Sequence, residues 1–388
     1  MILSDVKYTK AGLFVREDTH LGFIVFSTHT GLVFACKTDD GGALLKWLDR
    51  KSSVAPSPEY MKALGPGWAI LLRDADYPSK HLLPSAESGW SILRPDYPIV
   101  INWLLTGNCA LRCQYCYAED LMRGRCKEPS AHDIDHIAES ILSFHPLAVV
   151  LTGGDPLLSA HLQRVLSRLH KRTGIIVDTS AFTFTYHHLE LFKKYGVFVR
   201  ISLDSEIPRI HDLLRPPVNT VKLDDKNSSN AAAIRAICQC VDAGIGVSVQ
   251  TVATKYNRSD LEALGDKLYR MGIRAWRILI VAPSETNAPR YAELRGTRSG
   301  LDRFDKYIEK QLRSKHENGW NRGMAVQITH NRAPNSVVLV APDGTFLTEA
   351  TVEPKKIILD EKLPKHPRLK RMFEKVDPHT HAERYLSL

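Results

Sequence analysis

Short apolar runs alternate with amphipathic stretches along the middle of this chain. Six runs have the length of buried strands, at residues 99–106, 148–153, 175–180, 197–204, 247–254 and 276–283. The stretches between them carry apolar residues every three to four positions, the period of a helix, at residues 132–144, 162–172, 187–196, 230–244 and 260–272. Apolar strands that alternate with helices indicate βα units and a parallel sheet. The pattern therefore predicts an α/β fold with a partial (β/α)6 barrel, whose active site belongs at the carboxyl ends of the strands.

The segments before and after this alternating region have different residue patterns. The N-terminal flank has two β-branched and aromatic runs, KYTKAGLFVRE and GFIVFSTHTGLVFAC, and then DDGGALLKWLDRK, whose leucines favour a helix. A stretch rich in proline and glycine follows, and it is typical of a linker. After about residue 290 the alternation weakens to a charged helix, two short strand-like segments and a basic tail. We expect a small α+β unit over residues 1–97, the barrel over 98–288, and a short strand-rich cap over 289–388.

The composition is that of an ordinary globular protein, with 44% hydrophobic and 24% charged residues. The first residues contain no basic-then-apolar leader, and no apolar run approaches the roughly 20 residues that span a bilayer. Seven scattered cysteines argue against a disulfide framework and for a reducing compartment. We therefore expect a cytoplasmic protein with no membrane contact. The net charge of +9 is dispersed, which favours a solvated surface over a nucleic-acid site.

Three of the seven cysteines lie within eight positions of the stretch NCALRCQYCYAED, directly after the first barrel strand: Cys109, Cys113 and Cys116. A disulfide pairs two thiols, and a closed zinc site usually takes four ligands. Iron–sulfur clusters are held by cysteine thiolates, and a four-iron cluster held by only three leaves one iron open for chemistry. Two alternatives stay open, namely buried free thiols and a zinc ion with a distant fourth ligand.

This CxxxCxxC loop, with an aromatic residue before its last cysteine, resembles the cluster loop of the radical S-adenosylmethionine (radical SAM) enzymes. The resemblance implies that Cys109, Cys113 and Cys116 bind one [4Fe–4S] cluster. It also implies that S-adenosylmethionine chelates the open iron, and that Tyr115 packs toward the adenine. An electron donor such as flavodoxin or ferredoxin would then be a partner.

Polar residues at the ends of later strands fit the same family. LTGGDP ends the second strand and resembles the family's GGEP motif, which receives the methionine ammonium, with aspartate in place of glutamate. Positions on the fourth and fifth strands resemble those that face the ribose and the methionine carboxylate. By resemblance the cofactor-binding candidates are Gly153, Gly154, Asp155, Pro156, Ser202, Asp204 and Gln250. A plain turn and a strand-end cap are the alternative readings, and no catalytic residue can be named.

The stretch ISLDSEIPRIHDLLRPP resembles the "SLDG…HD..R" stretch of peptide-modifying members such as sulfatase maturases, with His211, Asp212 and Arg215 as matching residues. Alternatively, these three form an ion-pair set that fixes local geometry. SVVLVAPDGTFLT resembles the SPASM-type C-terminal extension of those relatives in its strand–turn–strand pattern. The last cysteine is Cys240, however, so this extension lacks the cysteines of an auxiliary cluster.

The N-terminal unit weakly resembles the winged-helix element with which many peptide maturases bind a leader peptide. A structural cap on the barrel is the other reading. The resemblance as a whole implies an enzyme that cleaves S-adenosylmethionine to a 5′-deoxyadenosyl radical, which abstracts hydrogen from a ribosomally made precursor peptide. The alternatives are a radical SAM enzyme that acts on RNA or on a small metabolite such as a nucleotide, and a non-catalytic peptide-binding partner.

Overall fold

The computed structural model describes most of the barrel and parts of both flanks. The described residues are 5–9, 12–36, 95–119, 128–218, 228–281, 287–295, 308, 310, 312, 324–330, 336–348, 356–357, 373 and 376–385. Two sheets are formed by this part of the chain, one of four strands and one of ten. The predicted helix within residues 37–94 and the predicted linker lie outside the described residues, as does Cys126.

Six parallel strands form the body of the large sheet and confirm the predicted α/β barrel. They are β5 (Val100–Thr106), β6 (Ala148–Gly153), β7 (Gly174–Thr179), β8 (Phe198–Ser202), β9 (Val247–Ala253) and β10 (Ala275–Ile280). Each begins and ends within about three residues of its predicted run. Their order in the sheet is their order in the sequence, as successive βα units require.

Helices connect these strands. Five of them lie where the periodic stretches predict, whereas the helices Pro208–Leu214 and Ala288–Arg295 lie outside those stretches. In chain order the helices are α1 (Ala131–Leu142), α2 (Leu162–Leu169), α3 (Tyr186–Tyr195), α4 (Pro208–Leu214), α5 (Ser229–Asp242), α6 (Leu261–Arg270) and α7 (Ala288–Arg295). A capping box at Ser130 and Asp133 begins α1, and Gly196 ends α3 in the left-handed conformation with φ +64°. The apolar faces of the barrel helices pack on the outer face of the sheet and form the main core with Ile101, Trp103 and their neighbours.

Strands from the last hundred residues add to both edges of the barrel sheet. On one edge β11 (Ala325–His330) pairs in parallel with β10. On the other edge β12 (Val338–Val340) pairs in parallel with β5, and β13 (Phe346–Thr348) and β14 (Lys356–Ile357) follow in antiparallel pairing. The region after residue 288 therefore extends the barrel sheet itself, and the boundary that we drew there stays a prediction.

The N-terminal sheet closes the amino-terminal end of the barrel. Its antiparallel strands are β1 (Lys7–Tyr8), β2 (Leu13–Asp18), β3 (Gly22–Ser27) and β4 (Val33–Cys36). Phe14 and Phe26 from this sheet share one apolar cluster with Val150, Ile176 and Phe198, which lie near the starts of barrel strands. The packing is close enough that a Cβ added at Gly174 would lie 2.3 Å from the ring of Phe26.

A buried arginine fixes this sheet to the barrel. Arg16 on β2 is 2% exposed and donates to the carbonyl oxygens of Tyr97, Pro98 and His145 at 3.0, 2.9 and 2.7 Å. These contacts match the structural-cap reading of the N-terminal unit, while leader binding stays a prediction. Within the described residues, no helix is long and apolar enough to cross a membrane.

Candidate functional site

The cysteine loop leaves the carboxyl end of β5 and is held by the segment that follows α4. Backbone N–H groups of Arg112 and Gln114 donate to the carbonyl oxygens of Pro216 and Leu214 at 2.8 and 2.9 Å. Val218 N donates in return to Ala110 O at 2.8 Å. The HDLLRPP stretch thus holds the cysteine loop in place through strand-like backbone hydrogen bonds. This contact connects the HD..R motif to the cysteine motif.

The three cysteines of this loop are close neighbours with partly exposed, unpaired thiols. Burial raises the pKa of Cys109 to about 11 and that of Cys113 to about 12, and it also raises the pKa of Cys116. Charge repulsion from Cys116 adds to the raised pKa of both Cys109 and Cys113, and Cys109 adds to that of Cys113. Three thiolates therefore need a cationic partner in order to coexist here, and an iron cluster supplies one.

Three cysteine sulfurs on one loop are a donor set that an iron–sulfur cluster takes. Among the described residues, no three His, Cys, Asp or Glu side chains form a group that could hold one metal ion. The zinc alternative with a distant fourth ligand thus has no support in the described part of the chain. Of the remaining described cysteines, Cys240 is fully buried in the core and Cys238 is exposed.

Asp204 lies just after β8 and holds the cysteine loop through Tyr115. Its side chain is fully buried and accepts a hydrogen bond from the hydroxyl of Tyr115. It also accepts from Arg215 Nε at 2.7 Å and from Val252 N at 2.8 Å. Because its carboxylate oxygens already accept from these protein donors, the structure assigns Asp204 a positioning role, and its direct contact with a cofactor stays a prediction.

Arg215 brings a positive charge to the cluster loop. Its guanidinium lies 3.8 Å from Cys113 Sγ and 5.3 Å from the centre of the Tyr115 ring. Burial alone would lower the pKa of this arginine, but the Asp204 carboxylate raises it well above its usual range. The positive charge is therefore permanent and stabilises negative charge on the neighbouring sulfur.

The other two residues of the HD..R stretch serve the local structure. His211 Nδ1 accepts a hydrogen bond from Asp204 N at 3.1 Å, and burial lowers its pKa to about 4, so the imidazole is neutral at pH 7. Asp212 accepts from Ser229 Oγ at 2.7 Å and from Asn230 N at 2.9 Å, at the start of α5. The alternative in which these residues fix local geometry therefore describes His211 and Asp212. Arg215 differs, because it also lies against Cys113, a predicted ligand of the cluster.

The GGDP loop lies against the cysteine loop with its backbone. Gly154 N donates to Thr106 O and Asp155 N donates to Asn108 O, both at 2.7 Å. A Cβ at Gly154 would lie 2.1 Å from Asn108 O, and Gly153 has φ +123°, so only glycine fits these positions. Pro156 is buried and begins a short 3₁₀ turn, Pro156–Leu158.

The Asp155 carboxylate points inward. It is 2% exposed and accepts from Thr179 Oγ1 at 2.8 Å, from Ser180 N at 3.0 Å and from Leu157 N at 3.1 Å. Burial raises its pKa, and the Ser180 and Thr179 donors oppose that rise. Asp155 therefore joins the ends of β6 and β7, a role for Thr179 and Ser180 that the sequence did not indicate. The backbone of the loop is what remains available to a ligand.

Ser202 and Gln250 line the barrel lumen on neighbouring strands. They are register partners on β8 and β9, and both are half-buried. Neither side chain makes a hydrogen bond to a residue that the structure describes. Both are therefore free to contact a ligand in the lumen, although their assignment to S-adenosylmethionine stays a prediction.

Comparison with known proteins agrees with this geometry. The model of the radical SAM superfamily matches residues 103–268, which include the cysteine loop, the GGDP loop and Asp204. The AdoMet-dependent heme synthase of Nitratidesulfovibrio vulgaris is 24% identical over 187 residues, 48% of each chain. The antilisterial bacteriocin subtilosin biosynthesis protein AlbA of Bacillus subtilis is 25% identical over 182 residues, 46% of this chain and 38% of that protein.

Among solved structures, Streptococcus suis SuiB bound to precursor peptide SuiA superimposes with a TM-score of 0.50 at 11% identity, over 83% of this chain and 72% of that one. This likeness shows the shared fold. The chain spans about half the length or less of the two curated relatives. Members of the matched superfamily are enzymes that bind a [4Fe–4S] cluster and S-adenosylmethionine. Residues 103–268 of this chain are thus similar to the radical SAM superfamily.

Proposed function

We propose that this chain is a radical SAM enzyme that modifies a ribosomally made peptide. The observation that carries the proposal is the cysteine loop at the carboxyl edge of the barrel, fixed by the Asp204–Arg215 pair and covered by the backbone of the GGDP loop. When bound, a [4Fe–4S] cluster and S-adenosylmethionine would supply one-electron cleavage to methionine and a 5′-deoxyadenosyl radical that takes a hydrogen atom from the substrate.

Different residues of the chain would bind the cluster and S-adenosylmethionine. Cys109, Cys113 and Cys116 would hold the cluster, and Tyr115 would border the adenine. Carbonyl oxygens of the GGDP loop would accept from the methionine ammonium, and Ser202 and Gln250 would face the rest of the cofactor from the lumen. Arg215 would balance the negative charge of the sulfur ligands. A flavodoxin or ferredoxin would deliver the electron.

Two relatives support a peptide as the substrate: the subtilosin biosynthesis protein AlbA by sequence, and SuiB with its precursor peptide by fold. Incubation of the anaerobically reconstituted chain with reductant, S-adenosylmethionine and each short peptide whose reading frame is found beside its gene tests this assignment. We expect 5′-deoxyadenosine and a mass change in the peptide. Formation of 5′-deoxyadenosine with no binding and no mass change would reject the peptide assignment but not the radical chemistry.

A small metabolite is the second candidate substrate, because the similarity to an AdoMet-dependent heme synthase covers as much of the chain as the similarity to AlbA. Untargeted metabolite comparison between a deletion strain and its parent distinguishes the two. Accumulation of one small precursor in the deletion strain favours the metabolite, and an unmodified peptide favours the maturase.

A further inference from the structure

A row of polar side chains crosses the lumen face of four neighbouring strands. Ser202 on β8 pairs in register with Gln250 on β9, Gln250 with Arg277 on β10, and Arg277 with Gln327 on β11. Partners in a parallel sheet place their side chains on the same face. The first two members of this lumen row were predicted from the sequence, and the structure adds Arg277 and Gln327.

The geometry of Arg277 leaves one side of its guanidinium for a ligand. Its Nε donates to Gln327 Oε1 at 3.0 Å, which fixes the plane of the group. Its two terminal nitrogens make no hydrogen bond to a residue in the described part of the chain. Two parallel N–H groups on one planar edge match the two oxygens of a carboxylate.

Two arginines and one carboxylate of the described residues act on the charge of Arg277. Asp178 on β7 is the carboxylate that acts on it, and this carboxylate is held by both Nε and Nη2 of Arg200, with Nη2–Oδ2 3.0 Å. Arg200 and Arg384 both repel Arg277, and burial, together with these two like charges, lowers the pKa of Arg277 to about 10. The group is still charged at pH 7, so an incoming anion would relieve repulsion as well as gain hydrogen bonds.

The direction of access is also fixed. The amino-terminal end of the lumen is filled by Phe14, Phe26 and their apolar neighbours. A ligand can therefore reach the lumen row from the carboxyl edge, past the cysteine loop and the GGDP loop. Arg277 and Gln327 lie on the strands farthest from β5 and β6, on the opposite side of β9 from the predicted cofactor position.

We propose that the far end of the lumen row, Arg277 with Gln327, is the substrate's anchor, in which Arg277 binds a carboxylate on the peptide, such as the side chain of an aspartate or glutamate next to the modified residue. The inference rests on the proposed function for the identity of the substrate. A single carboxylate carries the one negative charge that balances one guanidinium, and inorganic phosphate, which the same edge could also pair, is the competing probe.

Small capped amino acids test the site without knowledge of the peptide. Capped glutamate (N-acetyl-glutamic acid methylamide), the isosteric capped glutamine and inorganic phosphate are titrated separately into the reconstituted full-length chain with S-adenosylmethionine present, and binding is measured by calorimetry. We expect the glutamate probe to bind about tenfold or more tightly than the glutamine probe, because a charge-assisted hydrogen bond to a half-buried arginine is lost in the latter.

Three substitutions locate the effect. Arg277→Gln removes the preference for glutamate. Asp178→Asn removes the competing carboxylate and tightens glutamate binding several-fold. Arg274→Gln is the matched control, because this arginine precedes the same strand and stacks on Tyr269 at 5.4 Å instead of facing the lumen. Its binding of the glutamate probe stays as in the unaltered chain.

Equal binding of the two capped probes, a preference for phosphate, or full binding by the Arg277→Gln chain would each overturn the proposal. If the Arg277→Gln chain does not take up iron, the test is made with Asp178→Asn. Glutamate binding by Asp178→Asn that is weaker than, or equal to, that of the unaltered chain would contradict the argument that the Asp178 carboxylate competes with the ligand. Binding is measured without turnover, so the result is independent of whether the unaltered chain cleaves S-adenosylmethionine. Absence of that cleavage would instead reject the proposed function.

Discussion

A few buried polar residues determine the geometry of the candidate site. Asp204 is the centre of this set, because one carboxylate accepts from the cysteine loop through Tyr115, from the loop after α4 through Arg215, and from β9 through Val252 N. Asn257 also donates to the Asp204 carbonyl oxygen at 2.6 Å. Three segments that are distant in sequence are thus tied to one strand end.

Replacement of Asp204 by asparagine tests this positioning role. The Arg215 guanidinium then stays buried without its carboxylate, and loss of one partner of a buried ion pair costs about 3–5 kcal/mol. We expect a loss of that order in urea unfolding, together with reduced iron content after reconstitution.

The control for this variant is Asp135→Asn, which removes a surface carboxylate that pairs with Arg164 and Arg168. A solvated ion pair contributes little to stability, so its unfolding curve and iron content should stay close to those of the unaltered chain. Equal losses in both variants would contradict a special role for Asp204.

At the scale of elements, the site depends on the close contact between two strand–loop junctions. The loop after β6 donates two backbone hydrogen bonds of 2.7 Å, one to Thr106 O at the end of β5 and one to Asn108 O in the loop that follows. The glycines of the donating loop make this short distance possible. Side chains play a small part at this contact. It is the backbone that places the GGDP carbonyl groups beside the first cysteine.

Gly154→Ala tests the contact. Its new methyl group would lie 2.1 Å from Asn108 O and 2.6 Å from Asn108 C, and both are backbone atoms next to Cys109 that cannot turn aside. We expect the two loops to separate, with loss of most of the bound iron and of measurable S-adenosylmethionine binding. Fluorescence of a bound S-adenosylmethionine analogue and iron analysis give the two readouts.

Gly196→Ala is the matched control, because Gly196 is the C-terminal cap of α3 and has open space around a new Cβ. Its positive φ costs about 1 kcal/mol for alanine. Stability should fall slightly while iron content stays unchanged. Full iron content in the Gly154→Ala chain would refute the role of the backbone contact.

At the scale of the whole molecule, both ends of the chain stabilise the barrel. The C-terminal helix α8 (Pro378–Tyr385) carries His381, whose side chain is fully buried. Ile99 N, at the start of β5, donates to His381 Nε2 at 2.9 Å, so the ring proton sits on Nδ1 and donates to Ser336 O at 2.8 Å. This side chain thus joins the first barrel strand to the segment that enters β12.

A pH dependence follows from this buried imidazole. Burial lowers the pKa of His381 to about 3, from 6.5 in the unfolded chain. The unfolded chain therefore binds the proton first as the pH falls. The contribution of His381 is complete above pH 6.5 and is lost on the way to about pH 3, by at most about 1.4 kcal/mol per pH unit. Urea unfolding between neutral pH and about pH 5 should show this slope.

His381→Asn should be less stable at neutral pH and should lose stability less steeply on acidification. His379→Asn is the control, since His379 is exposed on the same helix. Some slope should remain in both variants, because burial also lowers the pKa of His211, to about 4. An unchanged slope in the His381→Asn chain would contradict the assignment.

The local pattern predicted most of the barrel, because each of its strands is an apolar run between two amphipathic helices. The cysteine and glycine motifs were found for the same reason, as their chemistry lies in consecutive residues. Pairing over long distances was not predictable. The short runs around residues 325 and 338 join opposite edges of one sheet, and which edge a strand joins is set by packing, not by its own residues.

Burial explains the remaining differences at the site. Asp155 and Asp204 accept hydrogen bonds from protein donors in the interior, which the sequence did not indicate, and their contact with a cofactor stays a prediction. Arg277 was not predicted, because a single arginine in a strand gives no indication of a site until its register with Gln250 is known. A sequence gives the types of residues at a site, whereas the partners of each side chain depend on the whole fold.

The most direct test is formation of 5′-deoxyadenosine from S-adenosylmethionine by the anaerobically reconstituted, reduced chain, with iron and sulfide measured in the same samples. We expect the product and about four irons per chain from the unaltered protein and from Cys238→Ala, whose thiol is exposed on α5. We expect neither from Cys113→Ala. Undiminished product from Cys113→Ala, or none from the unaltered chain with its iron in place, would contradict the assignment of this loop.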